Sequence, residues 1–244
     1  REEVYEKMAK NLKVMKEGAT EGREKKVNSL SGLIGGDGYR VQKYLEKGNT
    51  LTGDVTVKAM AMALSSSEVN AAMGRIVACP TAGSCGILPA VILSAGEKLA
   101  KTDEELIDAL FASAAVGMII GMNATLSGAE GGCQAETGAA AAMASAGVVE
   151  MMGGSPEQAV HAASHCLQNV MGLVCDPIAG LVEVPCQGRN AIGVANALIS
   201  AELCLAGILN IIPFDETVAA MYKVGKTLPM ELRETALGGV AATC

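Results

Sequence analysis

Large side chains are scarce in this chain, and that scarcity limits how it can fold. Aromatic residues make up 2% of 244 positions and tryptophan is absent, while half of all residues are hydrophobic. A core built mainly from Gly, Ala and Met fills space only where helices approach closely through small side chains, with Met taking up the gaps. Strict apolar/polar alternation is hard to find, and the short Val/Ile runs sit inside longer helical windows. The expectation is an all-α fold, a single large helical domain around buried apolar helices. Within it, residues 1–53 form an N-terminal helix and a Gly-rich irregular segment of the same domain, and residues 54–244 form the helical core that carries the cysteine loops.

Punctuation places the helices. Val4, Met8, Leu12 and Met15 suit an amphipathic helix over the first 17 residues that stops at Gly18. Glycines then separate short segments up to Gly53, with one short helix at Val41 to Lys47. Asp54 is an N-cap for Val55 to Leu64, and Thr102 with Glu105 forms a capping box opening Asp103 to Gly121. Ser155, Pro156 and Gln158 open a helix reaching about Met171, with Pro at the first helical position. Asn190 to Asn210 reads as a long apolar helix, and Asp215 caps another. No internal repeat or low-complexity tail interrupts this order.

Several function classes are disfavoured. The formal net charge is −7 and no basic run is interleaved with aromatics, so nucleic acid is not an expected partner. Ala109 to Ala129 and Ile76 to Gly96 carry no charge and are long enough to span a bilayer. Polar residues such as Ser113 and Asn123, and Pro80 and Pro89 in the second, fit buried helices better, so no membrane partner is expected. Eight cysteines in a chain this rich in core residues point to reduced thiols rather than a disulfide framework. No signal peptide is visible, and a cytoplasmic location is expected. The sequence opens without an initiator Met, the mark of a fragment.

The charge map singles out one side chain. From Thr102 to Tyr222 there is no lysine, and Arg189 is the only arginine. A guanidinium so isolated suits a carboxylate ligand, or else a structural ion pair with Asp176 or Glu183. Around it lie three segments fit for chemistry. The loop from Cys79 to Gly86 offers backbone amides with the hydroxyls of Thr81 and Ser84 as an anion nest, or serves as an ordinary Pro/Gly connection. Cys133 sits on a Gly-rich turn entering an Ala-rich helix, where a thiolate is favoured. Cys175 and Cys186 bound a Pro/Gly loop. Their spacing matches neither a zinc ribbon nor a bacterial ferredoxin, so each of the three thiols is either a metal ligand or a free buried Cys. Cys166 and Cys204, inside helices, suit the second reading. His161 and His165 share a helix face but lack the intervening Glu of a zinc-protease motif.

Three runs carry a resemblance: CPTAGSCGILPAV, GAEGGCQAETGAAAAMASAG and MGLVCDPIAGLVEVPCQGRNA. They resemble the signature segments of the catalytic alpha chain of iron–sulfur L-serine dehydratases, also called L-serine deaminases, and the similarity runs from about residue 54 to the C-terminus. The resemblance implies a lyase of amino-acid degradation and gluconeogenesis that converts L-serine to pyruvate and ammonia. It implies a [4Fe–4S] cluster on Cys133, Cys175 and Cys186, with one iron left open as a Lewis acid. Loss of the Cα proton and the hydroxyl gives aminoacrylate, whose imine hydrolyses. Arg189 and the loop Thr81, Ala82, Gly83 and Ser84 are then the candidates for holding serine, with Glu136, Asn169 and Asn190 in support; Thr81, Ser84 and Arg189 are the candidate catalytic residues.

The chain departs from that family in two ways. The small β domain with its Ser-Ser-His-Thr-type motif is missing, and Ser65-Ser-Ser-Glu does not replace it, so a beta chain or domain of the same enzyme is an expected partner, within an oligomer. Fused members end in a cysteine that caps the open iron; Cys244 is a candidate fourth ligand or marks a truncated chain. Two other readings compete. A pyridoxal-phosphate dehydratase needs a Schiff-base lysine, which the Gly-rich loops lack. A non-catalytic helical partner or membrane subunit would carry inert cysteines.

Overall fold

Helices account for nearly all regular structure in the computed structural model, which describes residues 2–243. Among these residues there is no strand, only isolated bridges pairing Asn28 with Gly35 and Cys175 with Arg233. In chain order the helices are α1 (Glu2–Glu24), α2 (Asp37–Leu45), α3 (Asp54–Ala71), α4 (Ile87–Lys98), α5 (Asp103–Asn123), α6 (Gly128–Gly131), α7 (Ala139–Met151), α8 (Pro156–Asn169), α9 (Cys186–Leu205) and α10 (Phe214–Thr227).

The Ala-rich helix α7 is the axis of the fold. Every residue of it except Glu150 is buried, against α4, α5, α8 and α9. Small side chains make this possible. A Cβ on Gly147 would stand 2.5 Å from Ser113 Oγ of α5 and 2.6 Å from Ile92 Cδ1 of α4, so three helices meet where no side chain fits. The two capping boxes form as the sequence dictates: Thr102 with Glu105 opens α5 and Ser155 with Gln158 opens α8, each with both reciprocal hydrogen bonds. Helix α5 is the one helix among the described residues long and apolar enough to cross a membrane. Leu106, Leu110, Val116 and Ile120 on it are buried, and Met118 and Met122 are exposed. The uncharged stretch from Ile76 to Gly96 is not one helix, since only its second part forms α4.

Several helix limits differ from the sequence expectation, mostly because tertiary contacts satisfy the ends. Helix α1 does not stop at Gly18 but runs to Glu24. The missing side chain serves close approach instead: a Cβ on Gly22 would lie 2.9 Å from Ser65 Cα, and Ser65 Oγ accepts from Gly22 N (2.8 Å) while donating to Gly18 O (2.6 Å). Helix α3 continues past Leu64 to Ala71, presenting Ser65, Ser66, Ser67 and Glu68 to α1 and α2. Helix α2 begins at Asp37 rather than Val41 because Glu68 accepts its first amides, Asp37 N at 2.5 Å and Gly38 N at 3.4 Å. Helix α9 is shifted towards the N-terminus, Cys186 to Leu205 instead of Asn190 to Asn210, and ends in a turn at Gly207 with φ +88°. Pro213, not Asp215, stands at the cap of α10; Asp215 lies in its first turn. The ends of α5 and α8, at Asn123 and Asn169, fall beyond Gly121 and short of Met171.

Candidate active site

Two buried amide side chains assemble three distant segments. Asn190, one turn into α9, donates from Nδ2 to Gly83 O (2.7 Å) and Cys186 O (2.8 Å) and accepts from Gly86 N at Oδ1 (2.9 Å). This clamps the loop from Cys79 to Gly86 against the start of α9. Gln134, fully buried, donates to Gly131 O (2.8 Å) and Met221 O (3.0 Å) and accepts from Gly172 N (2.9 Å). It thereby ties the Cys133 turn to α10 and to the segment leading into Cys175. No sequence motif marks Gln134, because two of its three partners, Gly172 and Met221, are backbone atoms far along the chain.

Cys133, Cys175 and Cys186 come from these segments and are all buried, at 3%, 2% and 7% exposure. Cys133 Sγ lies 3.1 Å from Thr137 Oγ1, and Cys175 Sγ lies 3.8 Å from Glu136 Oε2. Gly128 makes room for this: a Cβ there would fall 2.9 Å from Cys175 Sγ. Burial pushes all three thiols up, Cys186 to about 12, and for Cys175 and Cys186 the neighbouring thiols and Glu136 push further. Arg189 opposes this at Cys133 and Cys186. Cys133 thus disfavours charge on both other thiols, and no three His, Cys, Asp or Glu side chains among the described residues are close enough to hold a single metal ion. Three thiols with a guanidinium beside them are a donor set that suits a positively charged group bound through sulfur.

The remaining described cysteines are also free and buried, but their sulfurs face backbone carbonyls. Cys85 is directed at Ser66 O, Cys166 at Asn196 O and Cys204 at Ile208 O, while Cys79 lies against Val77 O and Cys85 O. The histidines are apart from this group. His165 contacts Asn210 and Ile208 O, and His161 lies 3.9 Å from Glu157. Cys244 falls outside the described residues.

The candidate substrate residues divide into two groups. Thr81 donates to Glu136 Oε1 (2.7 Å) and lies 3.2 Å from Ser84 Oγ, so Thr81, Ser84, Glu136 and Cys175 are together. Burial raises the Glu136 carboxyl above the usual carboxylate range, while Thr81 pulls it back. Arg189 and Asn169 instead line an open cavity of about 650 Å³, with Thr137, Gly188 and Ile192. The Arg189 fork is already engaged: Nη2 donates to Asp176 Oδ1 (2.7 Å) and Nη1 to Val174 O (2.9 Å). The ion pair with Asp176 is therefore present, beside the thiol group. Asn169 donates to Asn196 Oδ1 at 2.7 Å. Ala82 to Ser84 form a 3₁₀ turn; of the amides just beyond it, Cys85 N bonds to Ala82 O and Gly86 N to Asn190. The C-terminal segment packs on the Cys175 loop, with Cys175 N donating to Leu232 O (2.8 Å) and Val240 N to Asp176 Oδ2 (2.7 Å).

Comparison with known proteins places the chain in a family. The family model described as "Serine dehydratase alpha chain" matches residues 1–241. The "Probable L-serine dehydratase, alpha chain" of Bacillus subtilis (strain 168) is 50% identical over 243 residues, covering 100% of this chain and 81% of the relative. The "L-serine dehydratase, alpha chain" of Peptoniphilus asaccharolyticus is 50% identical over 242 residues, covering 99% and 83%. "L-serine dehydratase 1" of Escherichia coli (strain K12) is 42% identical over 181 residues, 73% of this chain but 40% of that protein. The match runs through both clamped loops and Cys133, Cys175 and Cys186, and the chain belongs to the serine dehydratase alpha-chain family.

Proposed function

We propose that this chain is the catalytic alpha chain of an L-serine dehydratase, releasing pyruvate and ammonia from L-serine, and that Cys133, Cys175 and Cys186 hold a [4Fe–4S] cluster. The observation that carries the reading is the convergence of these three thiols on Glu136, which lies 3.8 Å from Cys175 Sγ and pushes all three up, when no carboxylate acts so on Cys79, Cys85, Cys166 or Cys204. When bound, the cluster supplies a Lewis acid for the substrate hydroxyl and the positive charge that makes three buried thiolates tolerable.

The chain's own residues do the positioning. Arg189 presents positive charge to the 650 Å³ cavity, with Asp176 and Val174 O fixing the plane of its fork and Cys133 beside it, and a carboxylate entering the cavity meets that charge. Asn190 sets the height of the loop from Thr81 to Ser84, whose hydroxyls and amides suit a zwitterionic amino acid. Glu136, half-buried and bonded to Thr81, is placed to exchange a proton with a group in that loop. The names of the alpha-chain relatives, and the larger length of the Escherichia coli protein, support a beta chain or domain that completes the enzyme. The free thiols of the seven described cysteines suit a reducing cytoplasm.

The test is pyruvate release from L-serine after anaerobic reconstitution with iron and sulfide, with and without the beta chain. Turnover that needs both reconstitution and the cysteines supports the reading. Full turnover in iron-free protein contradicts it.

A further inference from the structure

One buried carboxylate connects the N-terminal helices to the cysteine loop. Glu68 of α3 is 0% exposed, and its Oε1 accepts from Asp37 N (2.5 Å), from Gly38 N (3.4 Å) and from Gln187 Nε2 (3.3 Å). Its Oε2 is buried with no hydrogen-bond partner. A carboxyl placed so is expensive, and a serine or alanine would fill this helix crossing more cheaply, as Ser65 does one turn earlier. What Glu68 adds is reach: it spans from the start of α2 to the first turn of α9, where Gln187 follows Cys186.

A second contact arrives at the same turn. Ser31, in the irregular segment before α2, donates to Glu183 Oε2 (2.7 Å), and Glu183 O accepts from Gln187 N (2.9 Å). The turn leading into α9 is therefore held from the N-terminal side at Glu183 and at Gln187. Cys186 lies between them, and Asn190 follows on the next turn, where its three hydrogen bonds to Gly83, Gly86 and Cys186 depend on how α9 starts.

We propose that Glu68 is a positioning residue for the active site: through Gln187 it fixes the first turn of α9, and so the setting of Cys186 and of the Asn190 clamp on the substrate loop. The N-terminal 53 residues thus serve the site without touching substrate. The inference deepens the proposed function, resting on it for the roles of Cys186 and the loop, but the contact itself exists whether or not iron binds.

Hydrogen exchange of the full chain, free of iron, separates the two. In Glu68→Ala, amides 183–190 should exchange on the order of tenfold faster while α7 stays protected. Glu68→Gln keeps the acceptor and should remain within about twofold of the parent. Gln187→Ala removes the link without disturbing the crossing of α1, α2 and α3, and should reproduce the acceleration even if Glu68→Ala fails to fold. Acceleration confined to α1, α2 and α3, or unchanged exchange at 183–190 in Gln187→Ala, overturns the proposal. So does a Glu68→Gln chain as loose as Glu68→Ala. None of these outcomes depends on cluster assembly or turnover.

Discussion

Cys166 and Cys204 are as deeply buried as Cys133 and Cys175, at 0% against 3% and 2%, yet the two groups do different things with their sulfur. On α8 and α9 each thiol is directed at a carbonyl and finishes the packing of a helix interior. Cys133, Cys175 and Cys186 instead share a half-buried glutamate, Glu136, which pushes all three up, while Arg189 pulls Cys133 and Cys186 back. Burial alone therefore does not mark a ligand. What surrounds the sulfur is what separates the two groups, and two amide clamps, Asn190 and Gln134, hold the segments that carry the three.

The largest expected effect breaks the loop group. Cys133→Ser, Cys175→Ser or Cys186→Ser should each lower serine turnover by on the order of 10³-fold or more, since several kcal/mol of Lewis-acid stabilisation go with the metal. Cys166→Ser and Cys204→Ser should keep turnover within about threefold, because only a weak S–H contact is exchanged. Steady-state pyruvate assays on reconstituted enzyme compare them directly.

Arg189 sharpens the same contrast, being the cation beside the thiols. Arg189→Ala should reduce kcat/KM for serine by about 10²- to 10³-fold, with Arg189→Lys recovering only part because a point charge cannot span Val174 O, Asp176 and a substrate carboxylate together. Iron content measured on the same samples distinguishes substrate binding from site assembly. A fall in iron to match the fall in kcat/KM would assign Arg189 to structure.

The packed core should respond in the opposite sense. Gly147→Ala forces a methyl against Ser113 and Ile92 and should cost about 1–3 kcal/mol of stability, while iron bound per folded chain is unchanged. Denaturant titration measures the first and iron analysis the second.

The smallest effect concerns pH. Burial raises the Glu68 carboxyl to about 7, against the pull of the Asp37 and Gly38 amides whose hydrogen bonds it accepts. The unfolded chain loses this proton first as pH rises, so stability contributed here falls between the usual carboxylate range and about 7 and is flat above it. Glu68→Gln should therefore gain stability relative to the parent at pH 8, on the order of 1 kcal/mol, and gain less or nothing at pH 5. Thermal melts at the two pH values check the sign.

Local chemistry was legible in the sequence and tertiary chemistry was not. Thr102 with Glu105 and Ser155 with Gln158 named their helix starts because both partners lie within one turn. The start of α2 was missed because its cap, Glu68, belongs to another helix, and the end of α1 because Gly18 and Gly22 serve a crossing instead of a stop. At the site, Cys133, Cys175 and Cys186 could be singled out by their Gly/Pro setting, but their spacing along the chain carried no metal pattern; family resemblance alone grouped them. Arg189 stood out by isolation, and its pairing with Asp176 was one of two readings that charge left open. Gln134 and Glu68 act through long-range contacts that no local motif announces.

The central claim is that the three thiols around Glu136, and not the buried thiols as a class, hold the metal. Iron and sulfide per chain should be measured after anaerobic reconstitution of the parent and of the five single Cys→Ser variants at positions 133, 175, 186, 166 and 204. The account predicts about four of each in the parent, Cys166→Ser and Cys204→Ser, and loss of stable binding in the other three. Equal retention in all five variants would contradict it.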